Sequence, residues 1–106
     1  MFGLEISVIK AIQKVLEKYP EVEKAILYGS RAKGNYRAGS DIDLTLIGQN
    51  LNLTILQKIE NELDDLFLPY KIDLSIYHHI QNESLLEHIK RVGKIFYEKT
   101  EMNISE

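Results

Sequence analysis

At 106 residues the chain has the length of one ordinary domain, enough to bury roughly two-thirds of its unfolded surface. Hydrophobic residues make up 44% and charged residues 27%, which excludes a disordered chain. Thirteen basic against sixteen acidic side chains leave a net charge of −3, which argues against coating nucleic acid, and the lack of cysteine excludes disulfide frameworks, thiolate zinc sites and cysteine nucleophiles.

From Glu5 to Lys18 the apolar Ile9, Ile12, Val15 and Leu16 recur at helical spacing, and Pro20 ends that helix. Val22 to Tyr28 is too short for a free-standing helix and reads as a buried strand that stops at Gly29. Gly29 to Ser40 holds three of the six glycines and no aliphatic residue larger than Ala, the composition of an ordered turn. Asp41 to Ile47 alternates, with Ile42, Leu44 and Leu46 on one face and Asp41, Asp43 and Thr45 on the other. Asn52 to Leu66 carries a helical stripe of Leu56, Ile59, Leu63 and Leu66. After Pro69, Lys71 to Tyr77 alternates again, with Asp73 on its polar face. Ser84-Leu85-Leu86-Glu87 matches a capping box opening a last helix through Val92; Gly93 stops it, and Lys94 to Glu98 forms a short edge strand. The tail from Thr100 is polar and expected to fray.

This order predicts an α+β domain over residues 1–99, a mixed sheet of about four strands with helices packed on one face. No apolar run approaches the roughly 20 residues of a membrane span and no signal-peptide pattern opens the chain. A single soluble, cytoplasmic domain is therefore expected.

The chemistry concentrates in Gly29-Ser30, ten intervening residues, and Asp41-Ile42-Asp43-Leu44. A strand that ends in glycine lets backbone approach a ligand closely. Ser30 is placed to cap a turn over Arg31 to Lys33 with Gly34 as its stop; exposed N–H groups and the hydroxyl there form an anion site, to which Arg31 and Lys33 add positive charge. Asp41 and Asp43, two apart on a strand, project from one face and can share or bridge hard cations. Taken alone, Gly-Ser fits an ordinary turn and Asp-x-Asp a solvent face. Asp73 changes the balance: three carboxylates converging without a basic partner raise one another's pKa and destabilise the fold unless a cation binds.

Gly29-Ser30-Arg31-Ala32-Lys33-Gly34 followed by Ser40-Asp41-Ile42-Asp43-Leu44 resembles the signature of the polymerase-beta-like nucleotidyltransferase superfamily, and most closely its minimal nucleotidyltransferase branch. The resemblance spans almost the whole chain. It implies that Asp41 and Asp43 hold Mg²⁺, two ions in all, and that Asp73 activates an acceptor hydroxyl and helps ligate one ion. It implies that Gly29 and Ser30 contact the terminal phosphates of ATP, with Arg31, Lys33 and Ser40 completing the nucleotide site. Members of this branch resemble the antitoxin half of a two-gene system, transferring AMP from ATP to a tyrosine hydroxyl of an all-helical HEPN toxin. Larger relatives carry a further helical domain for base and acceptor; this sequence shows none, and a partner is expected to supply that surface. An antitoxin acting by contact alone and transfer to a small-molecule hydroxyl stand as alternatives, and homo-oligomerisation is open. No membrane contact and no direct nucleic-acid binding is expected. His78 and His79 follow the Asp73 strand and read as strand-end residues, while Tyr28 and Tyr77 end strands near the proposed site.

Overall fold

Alternating apolar residues make the sheet, and the helical stripes decide what covers it. In the computed structural model, which describes residues 1–100, the elements are α1 (Ile6–Glu17), β1 (Lys24–Tyr28), the one-turn α2 (Ser30–Lys33), β2 (Ile42–Ile47), α3 (Leu53–Asp64), β3 (Ile72–Ile76), a 3₁₀ turn at Tyr77–His79, α4 (Glu83–Val92) and β4 (Lys94–Glu98). The strands form one mixed sheet in the order β3-β2-β1-β4, with β1 antiparallel to β2 and β4, and β2 parallel to β3. Parallel neighbours need a crossover, which α3 provides.

One face of the sheet carries Ala25, Leu27, Ile42, Leu44, Leu46, Leu74, Ile76 and Phe96 into a single buried cluster with α1 and α3. Each of the larger side chains stabilises the fold by roughly 1.5–3 kcal/mol when fully buried, which is what offsets the chain entropy of ordering the site above it. Tyr19 on the turn after α1 donates a hydrogen bond to Glu62 of α3 and ties the two covering helices together.

The expected element order and mixed sheet are found, with α1 and α3 on one face. Helix α4 departs from that layer, because its His88 reaches Tyr28 and Gly29 on the other side. It lies close over β1 because Gly93 has no side chain: a Cβ there would run into the Ile89 carbonyl and the Ile26 side chain. Strand ends draw in by one or two residues, so that Asp41 precedes β2 instead of opening it. The last helix is capped by Asn82, whose side chain accepts from Leu85 N at 3.0 Å; Ser84 is not the cap, and already lies inside the helix. Asn52 caps α3 in the same way, accepting from Ile55 N at 2.9 Å. Most of the polar tail, residues 101–106, lies outside the described residues. Among those described, no helix is long and apolar enough to cross a membrane.

Candidate active site

The polar face of the sheet holds the expected carboxylates because strand register puts them there. Tyr28 is the register partner of Asp43 across β1 and β2, and Asp43 is the partner of Asp73 across β2 and β3. The three side chains therefore stand in a row across three strands. Deeper along the same face the Ser75 hydroxyl donates to Thr45 Oγ1 at 2.9 Å.

Asp43 is half-buried, whereas Asp41 and Asp73 are exposed. Burial, then the charges of Asp73 and Asp41, push its carboxyl up to about 6, with Lys71 partly offsetting them. Burial also raises the Tyr28 phenol; a hydrogen bond with Ser75 opposes the rise, and the charges of Asp43 and Asp73 add to it.

Gly29 leaves β1 at φ 76° and ψ −156°, a conformation essentially closed to other residues. A Cβ at this position would run into the Asp43 carboxylate. Glycine is thus required twice, for the turn and for the approach to Asp43. Its carbonyl accepts from Lys33 N at 3.1 Å, which makes Gly29 the N-cap of α2, and Gly34 closes the turn at φ 90° with its N–H on the Ser30 carbonyl at 2.9 Å. Ser30 is therefore the first helical residue, and no side-chain cap bond is made. The expected serine cap does not form because the helix starts one residue earlier, which puts Gly29, with no side chain, at the N-cap.

Arg31, expected at the anion site, is buried inside the protein, 3% exposed. Its Nε and Nη2 donate to the Ser40 carbonyl at 3.1 and 2.9 Å, and Nη1 donates to the Phe2 carbonyl at 2.9 Å. The guanidinium lies 5.3 Å from the Tyr36 ring and 5.0 Å from the Tyr70 ring. A planar five-donor fork suits two carbonyls and two aromatic faces, so this charge ties the N-terminal segment to the turn before β2. Ser40 serves the same turn: its hydroxyl accepts from Arg37 N at 2.8 Å while its carbonyl holds Arg31. Lys33 is exposed and is the other positive charge of the short helix. His78 and His79 lie past the far end of β3 from Asp73, exposed, with their rings 4.7 Å apart.

One residue that sequence reasoning did not single out joins the site. His88 Nε2 accepts the N–H of Gly29 at 3.0 Å, and its ring meets the Tyr28 ring edge-on at 6.2 Å. A lone histidine on an apolar helical stripe, 59 residues from its partner, carries no local signal of this contact.

Among the described residues, no group of three or more His, Cys, Asp or Glu is gathered closely enough to hold a metal ion. The pair Asp43 and Asp73 is in register, and Asp41 is near enough to act on Asp43 through its charge. These are hard oxygen donors, and the like charges that add to burial in raising Asp43 are what a divalent cation relieves, so the donors suit Mg²⁺ over a soft metal.

Residues 10–102 match the family model described as Polymerase beta, Nucleotidyltransferase. The chain is 35% identical over 80 residues to a Methanocaldococcus jannaschii protein provisionally named a protein adenylyltransferase, a match that covers 74% of this chain and 58% of that protein. The chain thus spans less than two-thirds of this relative's length. Its fold is similar to a chain of a toxin–antitoxin crystal structure with AMP-PNP, at a TM-score of 0.68 and 20% identity over 86% of this chain and 73% of that one. It is also similar to a chain of the complex between the tri-AMPylated Shewanella oneidensis HEPN toxin and its MNT antitoxin, at 0.64 and 18% identity over 88% and 71% of the two chains.

Proposed function

The chain belongs to the polymerase beta nucleotidyltransferase family, and we propose that it transfers AMP from ATP to a tyrosine hydroxyl of an all-helical HEPN-type toxin, in the cytoplasm, and so acts as an antitoxin. The observation that carries this reading is the in-register pair Asp43 and Asp73 set against a turn whose glycine leaves room at the Asp43 carboxylate. Solved relatives of the same fold occur with AMP-PNP and with an AMPylated HEPN toxin, which supports the choice of nucleotide and partner.

Asp41, Asp43 and Asp73 are the residues that would hold Mg²⁺, which supplies charge neutralisation at the phosphates. The Gly29–Ser30 turn receives the terminal phosphates, with the Ser30 hydroxyl as a donor and Lys33 as a positive charge at the rim. Arg31 and Ser40 act one step back, holding the loop that delivers Asp41. Asp73, at the exposed end of β3, accepts the acceptor proton as the hydroxyl oxygen bonds to the α-phosphorus. The bond between the α-phosphorus and the bridging oxygen breaks in line, and pyrophosphate leaves.

The test is the intact mass of the protein encoded beside this chain after incubation with this chain and MgATP. A gain of one or more AMP units is expected with the wild type and none with the Asp41→Asn, Asp43→Asn double variant. No gain from two proteins that still co-purify refutes transfer and leaves inhibition by contact.

A further inference from the structure

We propose that His88 is the positioning residue that sets the Gly29–Ser30 turn for the nucleotide, a role that rests on the nucleotidyl-transfer reading above. The Gly29 N–H is spent on His88 Nε2 at 3.0 Å and is not available to a phosphate. For Nε2 to accept, the ring proton sits on Nδ1. A peptide unit is planar, so holding this N–H toward α4 fixes the rotation of the whole Tyr28–Gly29 peptide and with it the positive φ of Gly29. That rotation decides two things at once: where Ser30 starts α2, and how closely the turn lies against the Asp43 carboxylate.

His88 is itself held. Its ring rests edge-on against Tyr28, and α4 is pinned one turn further on, where Gly93 allows the helix end to close onto Ile26. Strand β1 and helix α4 therefore clamp the turn from both sides. A purely structural histidine would satisfy a half-buried N–H and affect only stability. A positioning histidine changes nucleotide affinity as well, and an acceptor of different chemistry but similar reach restores it.

The experiment measures the Kd for MgAMP-PNP by calorimetry, with Tm alongside, in the wild type, His88→Leu and His88→Gln. Leucine keeps the bulk and removes the acceptor; glutamine keeps a carbonyl that can accept. His88→Leu is expected to weaken binding about tenfold, the scale set by an N–H left without its partner, and His88→Gln to recover binding to within about threefold. Nitrogen NMR of the free wild type is expected to show scalar coupling between Gly29 N and His88 Nε2, a readout that needs no nucleotide. Should leucine prevent folding, His88→Phe keeps a ring without the acceptor. Unchanged affinity in the acceptor-less variant, a glutamine variant as weak as leucine, or absent coupling each overturns the role. A wild type that binds no MgAMP-PNP refutes the nucleotide reading itself, and the wild-type titration tells that failure apart from the failure of His88 alone.

Discussion

Replacing Asp43 by asparagine is expected to make the protein more stable while abolishing transfer. The carboxyl is carried from its ordinary 3.8 to about 6, first by burial and then by the charges of Asp73 and Asp41. At about 1.4 kcal/mol per pH unit this corresponds to roughly 3 kcal/mol against the ionised form before screening. Asp43 is only half-buried, so solvent screening reduces the figure to about 1–1.5 kcal/mol. The sign follows from linkage. A raised folded-state pKa means the cost is absent below the unfolded value, grows as pH rises between 3.8 and about 6, and is complete above that. The uncharged amide carries none of it. In chelator at pH 8, Asp43→Asn should therefore melt about 4–8 °C above the wild type, a gap that falls to about half at pH 5 and closes near pH 4. Adding Mg²⁺ should raise the wild-type Tm more than that of the variant, because a cation bound to the folded state offsets the same repulsion. Scanning calorimetry at three pH values, with and without magnesium, reads all of this. A variant less stable than the wild type at pH 8 in chelator, or a gap that widens on acidification, refutes the electrostatic account of the site.

Gly29→Ala puts a Cβ onto the Asp43 carboxylate from a backbone conformation closed to alanine; denaturant titration should show a loss of about 2–3 kcal/mol, and AMP transfer should disappear. Arg31→Ala leaves the Ser40 and Phe2 carbonyls without their donor and removes the contact between two aromatic rings; unfolding should cost about 2–4 kcal/mol less, and Arg31→Lys should recover only part, because an ammonium cannot reproduce the fork. Tyr19→Phe removes the hydrogen bond to Glu62 between the turn after α1 and helix α3 and should lower stability by about 1 kcal/mol in urea melts. The phenol is pushed up to about 12, chiefly by that bond, so its contribution persists to pH 10 and is lost between there and 12; a difference between variant and wild type that is already gone at pH 8 would contradict this.

The parts of this site that sequence reveals are those with a local signature. Period-two alternation places Asp43 and Asp73 on polar faces, and the glycines around Arg31 mark a turn, because both patterns are set by neighbours in the chain. What alternation cannot fix is register between strands, and register is what makes Asp73 the partner of Asp43 and leaves Asp41 outside the strand. The same limit hides the surroundings of Arg31. Its charge in a glycine-rich turn reads as an anion ligand, but its actual partners are the backbone of Ser40, at the start of the second motif half, and the backbone of Phe2 and the ring of Tyr70, which lie 29 and 39 residues away in sequence and outside the motif. His88 is the opposite case, a residue with no signature at all that meets the turn only because α4 crosses to the polar side of the sheet. Charge patterns thus identify which residues can do chemistry, whereas the division between those that do it and those that hold the turn in place depends on contacts between segments far apart in the chain. In this fold the two kinds are separated by the turn itself: Asp43 lies on its sheet side, His88 holds the Gly29 N–H from α4, and Arg31, inside the turn, holds the Ser40 carbonyl at its other end.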